Sequence, residues 1–202
     1  MKLLYKIFYP VVWAFMKVFF PFQIIGREKF AKDKKLVVYA NHISYMDPIF
    51  LAFACGYRRG IYFMAKEELF RNKLFGALIK SLGAFPVKKG EGAKAVENAS
   101  HLIEENKVFG IFPEGTRSKT GKLGRAKSGI ALVIASMKAN AQPVAIVTKN
   151  QKVRPFRFTR IIVCDEIPYQ NISCNTSDAK SLRAAAGKLM EPIAEAVEYY
   201  SK

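Results

Sequence analysis

Residues 35–55 read KLVVYANHISYMDPIFLAFAC, and their pattern sets the organisation of the chain around them. Lys35 to Ala40 is a short apolar run rich in valine, which predicts a buried strand. Pro48 to Cys55 is apolar at helical length, with Asp47 placed to cap its start and Pro48 at the first helical position. The polar stretch between them, Asn41 to Asp47, is then a strand-to-helix loop. Such loops, beyond the carboxyl ends of strands, are where open α/β sheets bind ligands. His42 and Asp47 are therefore candidate functional residues. On a straight helix, side chains five positions apart point about 140° away from each other. The two can meet only if a turn precedes the helix, which the Asp47-Pro48 pair supplies.

The same alternation continues on both sides. Strands are predicted at 58–66, 84–89, 107–112, 143–150 and 160–167, and helices at 68–83, 93–106, 128–140 and 177–201. The 84–89 strand contains Pro86, which suits an edge position. Strands separated by helices predict an α/β fold: a mixed, largely parallel central sheet flanked by helices. No internal repeat or low-complexity linker divides the chain.

Residues 3–25, LLYKIFYPVVWAFMKVFFPFQII, differ from the rest. Their only charges are Lys6 and Lys17, and the ten uncharged residues between these are about half of a bilayer span. Pro10 and Pro21 interrupt the run, which argues against one straight helix. The expectation is one or two short helical pieces lying in a membrane interface, aromatic rings at the headgroup boundary and Lys2, Lys6 and Lys17 facing anionic lipid. A helix packed on the domain and a true span are the alternatives. Residues 1–25 are accordingly assigned as an interfacial segment and 26–202 as the main domain.

Composition narrows the partners. Half of the 202 residues are hydrophobic, enough for a sizeable core. The formal charge of +17 predicts an anionic partner: nucleic acid, an anionic membrane surface, or a negatively charged substrate or carrier. Cys55, Cys164 and Cys174 form no CxxC pair and the chain has only two histidines, so a zinc site is not expected. Neither a P-loop nor a glycine-rich dinucleotide loop is present. The second histidine, His101, reads as a structural residue on a polar-rich helix.

Two further segments bear on chemistry. Phe112-Pro113-Glu114-Gly115-Thr116-Arg117-Ser118 follows a strand, as the His42 loop does. Gly115 permits close backbone approach, Thr116 and Ser118 offer hydroxyls, and the planar guanidinium of Arg117 matches a phosphate. Lys119, Lys122, Arg125 and Lys127 extend the positive field. Gly83 to Gly90, GAFPVKKG, ends in adjacent lysines that would hold a second edge of the same anion. Each has a plainer reading. Asp47 could only cap a helix, PEGT is ordinary turn chemistry with a surface arginine, and a lysine pair is commonly a solvated turn.

Together these residues resemble the glycerolipid acyltransferase family, specifically the 1-acylglycerol-3-phosphate acyltransferases. Its NHxxxxD motif is met by Asn41, His42 and Asp47, and FPEGTRS is met from Phe112 to Ser118. Pro143, Val144 and Ala145 match a short apolar motif, and Lys66, Glu68, Leu69 and Phe70 match a KxELF segment. GAFPVKKG matches a further motif with one departure. Lys89 stands where the family carries arginine, replacing a bidentate fork by a point charge. The resemblance runs from about Ile25 to about Pro168.

The resemblance implies transfer of a fatty acyl group from an acyl-CoA or acyl carrier protein thioester to the sn-2 hydroxyl of 1-acylglycerol-3-phosphate, giving phosphatidic acid. His42 would be the general base and Asp47 its orienting partner, with no cofactor and no metal. Lys89, Glu114, Gly115, Thr116, Arg117 and Ser118 would bind the acceptor phosphate. The anionic partners are then the thioester donor, lysophosphatidic acid and the membrane surface, rather than nucleic acid. The setting is the cytoplasmic face of the cell membrane, as a peripheral or monotopic protein. A nucleic-acid module and a non-catalytic membrane adaptor are the rival readings on charge and aromatic content alone.

Overall fold

The computed structural model describes residues 3–30, 35–56, 60–81, 83–88 and 108–201. The expected helix at 93–106, with His101, and the candidate Lys89 lie outside the described residues. In chain order the elements are α1 (Leu3–Phe19), β1 (Phe22–Ile25), β2 (Leu36–Ala40), α2 (Asp47–Cys55), β3 (Ile61–Lys66), α3 (Lys73–Ser81), β4 (Ala84–Val87), β5 (Val108–Ile111), α4 (Gly129–Met137), β6 (Asn140–Thr148), β7 (Thr159–Val163) and α5 (Ala179–Tyr200).

The strands form one seven-stranded sheet in the order β1-β7-β6-β2-β5-β3-β4. Every neighbouring pair is parallel except β6 with β7. This is the mixed, largely parallel sheet that the alternating pattern predicts. β4, with Pro86, takes an edge, where a missing N–H costs no ladder bond.

Strand periodicity divides the core in two. Val37 and Tyr39 of β2 and Ala145 and Val147 of β6 pack on one face with Ile130, Val133 and Ile134 of α4 and Leu189 and Ile193 of α5. The alternate residues, Leu36, Val38 and Ala40 of β2 with Val144 and Ile146 of β6, pack on the other face. There they meet Met16 of α1 and Phe50, Leu51 and Phe53 of α2. Each fully buried side chain of this size contributes about 1.5–3 kcal/mol. The phenol of buried Tyr39 donates to the Leu189 carbonyl at 2.7 Å, tying β2 to α5.

Three local expectations change. Where one helix is expected at 68–83, a 3-10 turn at Glu67–Phe70 and helix α3 (Lys73–Ser81) are separated by a bend at Arg71 and Asn72. Asp47 begins α2 but its side chain does not cap it; Met46 holds the cap position and Pro48 lies in the first turn. At the N-terminus, α1 runs through Pro10 as a single helix. Loss of one backbone donor is tolerated there because the helix is docked through Met16, which is buried in the core.

Residues 22–25, read from sequence as the end of the interfacial segment, form a sheet strand. β1 pairs in parallel with β7, from Phe22 opposite Thr159 to Ile25 opposite Ile162. The ammonium of Lys17 also turns inward. It donates to the Phe22 carbonyl at 2.7 Å and lies 4.3 Å from the Phe22 ring centre. The opposite side of α1 leaves Phe8, Val11, Phe15, Val18 and Phe19 exposed. Among the described residues, no helix is long and apolar enough to cross a membrane.

Candidate active site

The site is assembled at one edge of the sheet by strand register. Leu36 to Tyr39 of β2 lie beside Val108 to Ile111 of β5 with both strands parallel. The chain therefore leaves β2 into Asn41-His42 next to where it leaves β5 into Phe112-Pro113. β6 is parallel to β2 on its other side, and Asn41 grips it. The buried Asn41 amide donates to the Ile146 carbonyl at 2.9 Å and accepts from the Ile146 N–H at 2.8 Å, as a strand residue would. That pair of bonds fixes the backbone immediately before His42.

The Asn41–Asp47 loop turns back on itself around one carboxylate oxygen. Asp47 Oδ2 lies 2.7 Å from His42 Nδ1 and accepts the backbone N–H groups of Ile43 and Ser44, each at 2.7 Å. Asp47 is fully buried. This solves the spacing problem posed by the sequence: the carboxylate reaches backward into the loop instead of forward along α2. Burial pushes the Asp47 carboxyl above its ordinary range, while the His42 ring and the Ser44 and Ile43 amides pull in the opposite direction. The His42 ring is stacked on Phe112, centroids 4.1 Å apart and 17° from parallel, and Phe112 in turn lies over Phe63. With Nδ1 engaged by Asp47, Nε2 is the ring nitrogen left to exchange a proton with a substrate.

The Phe112–Ser118 loop is laced to the His42 loop. Glu114 is buried, with Oε1 accepting the His42 N–H at 2.7 Å and Oε2 accepting the Gly124 N–H at 2.9 Å. Burial raises its carboxyl above the usual range, opposed by those two amides. The Ser118 N–H donates to the His42 carbonyl at 2.7 Å. The Ser118 hydroxyl donates to the Lys122 carbonyl and accepts the Gly121 N–H. Glu114 and Ser118, grouped by sequence with the phosphate ligands, are thus turned inward on backbone groups. A carboxylate would in any case repel a phosphate.

Gly115, Thr116 and Arg117 are exposed. Gly115 has φ 67°, and a Cβ there would lie 2.8 Å from Lys127 Nζ, so glycine lets a second cation lie over the turn. The Arg117 guanidinium rests 3.4 Å from the ring centre of Tyr45, a residue of the His42 loop. Tyr45 thereby orients the cation expected to meet phosphate. From sequence, Asn41 and Phe112 are motif residues without an assigned role, and Tyr45 has none. For Asn41 the signal was a polar residue at the end of an apolar strand, and for Tyr45 its place in the loop between His42 and Asp47.

Known proteins resemble this chain in sequence and in fold. The model of the family described as Acyltransferase matches residues 21–147, more than half of the chain. A 1-acyl-sn-glycerol-3-phosphate acyltransferase of Bacillus subtilis is 34% identical over 98 residues, 48% of this chain and 48% of that protein. One of Streptococcus pneumoniae is 32% identical over 115 residues, 56% of this chain and 42% of that protein. The matches thus span about half or less of the length of these curated relatives. The crystal structure of the 1-acyl-sn-glycerophosphate (LPA) acyltransferase PlsC from Thermotoga maritima has the same fold. It superposes with a TM-score of 0.71 at 22% identity, covering 97% of this chain and 78% of that one.

Proposed function

The chain belongs to the acyltransferase family, and from that premise we propose that it transfers a fatty acyl group from a thioester, acyl-CoA or acyl carrier protein, to the sn-2 hydroxyl of 1-acylglycerol-3-phosphate. The observation that carries the proposal is the 2.7 Å contact between His42 Nδ1 and Oδ2 of the fully buried Asp47, set beside the Phe112–Ser118 loop with its exposed Arg117. The acceptor hydroxyl gives its proton to His42 Nε2 as its oxygen attacks the thioester carbonyl. Asp47 stabilises the imidazolium so formed. The carbon–sulfur bond then breaks, the acyl ester is left on the acceptor, and the proton passes to the departing thiolate. No atom of the enzyme joins the acyl group.

Roles divide by exposure. The exposed Arg117, Thr116 and Gly115 backbone hold the acceptor phosphate, with Arg117 supplying the planar fork, and Lys89 joins them on its sequence motif alone. Glu114 and Ser118 position the His42 loop from within. The acceptor is membrane-borne, and the exposed apolar side of α1 supports work at a membrane surface, which the reading assigns to the anionic cytoplasmic face. Thioester cleavage measured with acyl-CoA and with acyl carrier protein, each with and without 1-acylglycerol-3-phosphate, tests the reading. Acceptor-dependent thiol release with one donor is expected. Release indifferent to the acceptor would refute it.

A further inference from the structure

The β6–β7 connection holds an unusual turn. Residues 149–160, KNQKVRPFRFTR, carry Lys149, Lys152, Arg154, Arg157 and Arg160 and no acidic residue. At the tip, the Arg157 N–H donates to the Arg154 carbonyl at 3.2 Å, closing a four-residue turn with Pro155 second and Phe156 third. Phe156 has φ 60° there. The third position of such a turn, when its φ is positive, favours glycine, and a bulky side chain in that conformation is strained. Yet the ring is 70% exposed, so little packing against the protein rewards the strain.

The tip is continuous with α1. The Phe156 N–H donates to the Phe19 carbonyl at 2.6 Å, the two rings lie 5.8 Å apart, and Phe19 in turn touches Phe15 at 4.6 Å. Phe158, two residues on, is also exposed, with the Arg160 guanidinium 5.8 Å from its ring centre. Lys17 of α1 is committed to Phe22. The loop adds exposed cations to the apolar face, Lys149, Lys152 and Arg154. Val153 roots the loop in the core cluster that includes Ile43, Met46 and Phe112. At its base, a Cβ on Gly121 would lie 2.9 Å from Gln151 Cβ, so the turn that receives Ser118 rests directly on the loop.

We propose that the β6–β7 loop is a second membrane-docking element, inserting Phe156 and Phe158 into the headgroup boundary of an anionic bilayer beside α1. Strained aromatic exposure, a flanking all-positive segment and continuity with the apolar side of α1 are all met by that one occupant. The inference goes beyond acyl transfer and is read without turnover.

The test uses the full chain with vesicles of phosphatidylcholine alone and of phosphatidylcholine with phosphatidylglycerol in equal parts. Phe156→Gly removes the ring while giving the turn the residue it favours, so the variant melts at or above the wild-type temperature. Combined with Phe158→Ser, it binds the anionic vesicles about tenfold more weakly. Arg154→Gln with Arg157→Gln leaves binding to pure phosphatidylcholine in place and lowers binding to anionic vesicles about fivefold per arginine, an effect that salt erases. Turnover on a short-chain, monomerically soluble acceptor stays at the wild-type level in all of these, so loss of catalysis and loss of docking are separately visible. Anionic-vesicle binding within twofold of wild type in the Phe156→Gly/Phe158→Ser chain overturns the proposal. So does unfolding of Phe156→Gly, which would make the ring a packing residue. A wild-type dimer that Phe156→Gly converts to monomer without change in vesicle binding overturns it as well, in favour of a second copy.

Discussion

Asp47→Asn separates two functions that a carboxylate beside histidine usually combines. Asp47 Oδ2 takes the His42 Nδ1 contact and the Ile43 and Ser44 amides together. An asparagine can enter in two orientations. Turning its NH2 toward the loop would oppose donors with donors, so the backbone amides select the orientation with oxygen inward. That orientation still accepts from Nδ1, so the histidine tautomer is kept and only the negative charge is lost. A charge-assisted bond is worth about 1.5–3 kcal/mol, compared with about 1 kcal/mol for a neutral one. A difference of about 0.5–2 kcal/mol in imidazolium stabilisation predicts a kcat lower by roughly 2- to 30-fold. Loss of the correct tautomer in a comparable His-Asp pair costs about 10⁴-fold.

Stability moves the other way. Burial raises the folded Asp47 pKa above its unfolded value, so the native state binds the extra proton between the two. The contribution of Asp47 to stability is then greatest below its unfolded pKa and is lost as pH rises through the folded one. Asparagine does not titrate, so the variant should gain on the wild type across that window as pH increases. Melting curves from pH 4 upward, paired with steady-state kcat, check both halves. Wild-type kcat in the variant would refute the charge argument. A wild type that gains stability over the variant as pH rises would refute the burial argument. Asp47→Ala differs in kind: it leaves the Ile43 and Ser44 N–H groups without their acceptor, at about 1–3 kcal/mol each.

His42→Ala should lower kcat about 10²- to 10⁴-fold with the fold retained, measured as acceptor-dependent thiol release and melting temperature; near-wild-type turnover would end the mechanism. Arg117→Ala should raise acceptor KM more than donor KM, and Arg117→Lys should recover only part of the loss. Tyr45→Leu should raise acceptor KM about two- to fivefold, the worth of an exposed cation–π contact, while Tyr45→Phe stays near wild type. Glu114→Ala leaves the His42 and Gly124 amides unpaired, so kcat should fall with acceptor KM little changed. A rise in acceptor KM alone would return Glu114 to the phosphate.

Most of the fold was legible because strand and helix periods alternate cleanly through Leu36–Ala40, Ile61–Lys66, Asn140–Thr148 and the helices between them. The site was legible in part. His42 and Asp47 stood out by residue type, loop position and resemblance, but whether the Asp47 carboxylate turns back to the ring or caps α2 is a matter of backbone turn, and both readings fit the sequence. Glu114 and Ser118 show the same limit from the other side. A glutamate in a basic, glycine-containing loop reads as exposed, because the amides that hold it belong to His42 and Gly124, far apart in sequence. Exposed chemistry leaves a mark in residue type, whereas internal bracing by backbone donors leaves little.

The N-terminal boundary was the least legible feature, and it changes how membrane binding must be tested. A run of aromatic and aliphatic residues has the same composition whether it faces lipid or core. Residues 3–25 do both: Met16 and Phe22 are buried, while Val11 and Val18 are each more than 60% exposed. Deleting 1–25 would remove β1 from its pairing with β7 and strip Met16 and Phe22 from the core. At about 1.5–3 kcal/mol for each large apolar side chain, with Ile24 and the strand pairing added, the loss is on the order of 5–10 kcal/mol. That is comparable with the whole stability of an ordinary domain, about 5–15 kcal/mol. The truncated chain should therefore fail to fold, and its absence from vesicles would say nothing about docking. Val11→Ser, Phe15→Ser and Val18→Ser together act only on the exposed face. They should keep the melting temperature within a few degrees while vesicle co-sedimentation falls. A triple variant that sediments with vesicles as the wild type does would remove α1 from the docking surface.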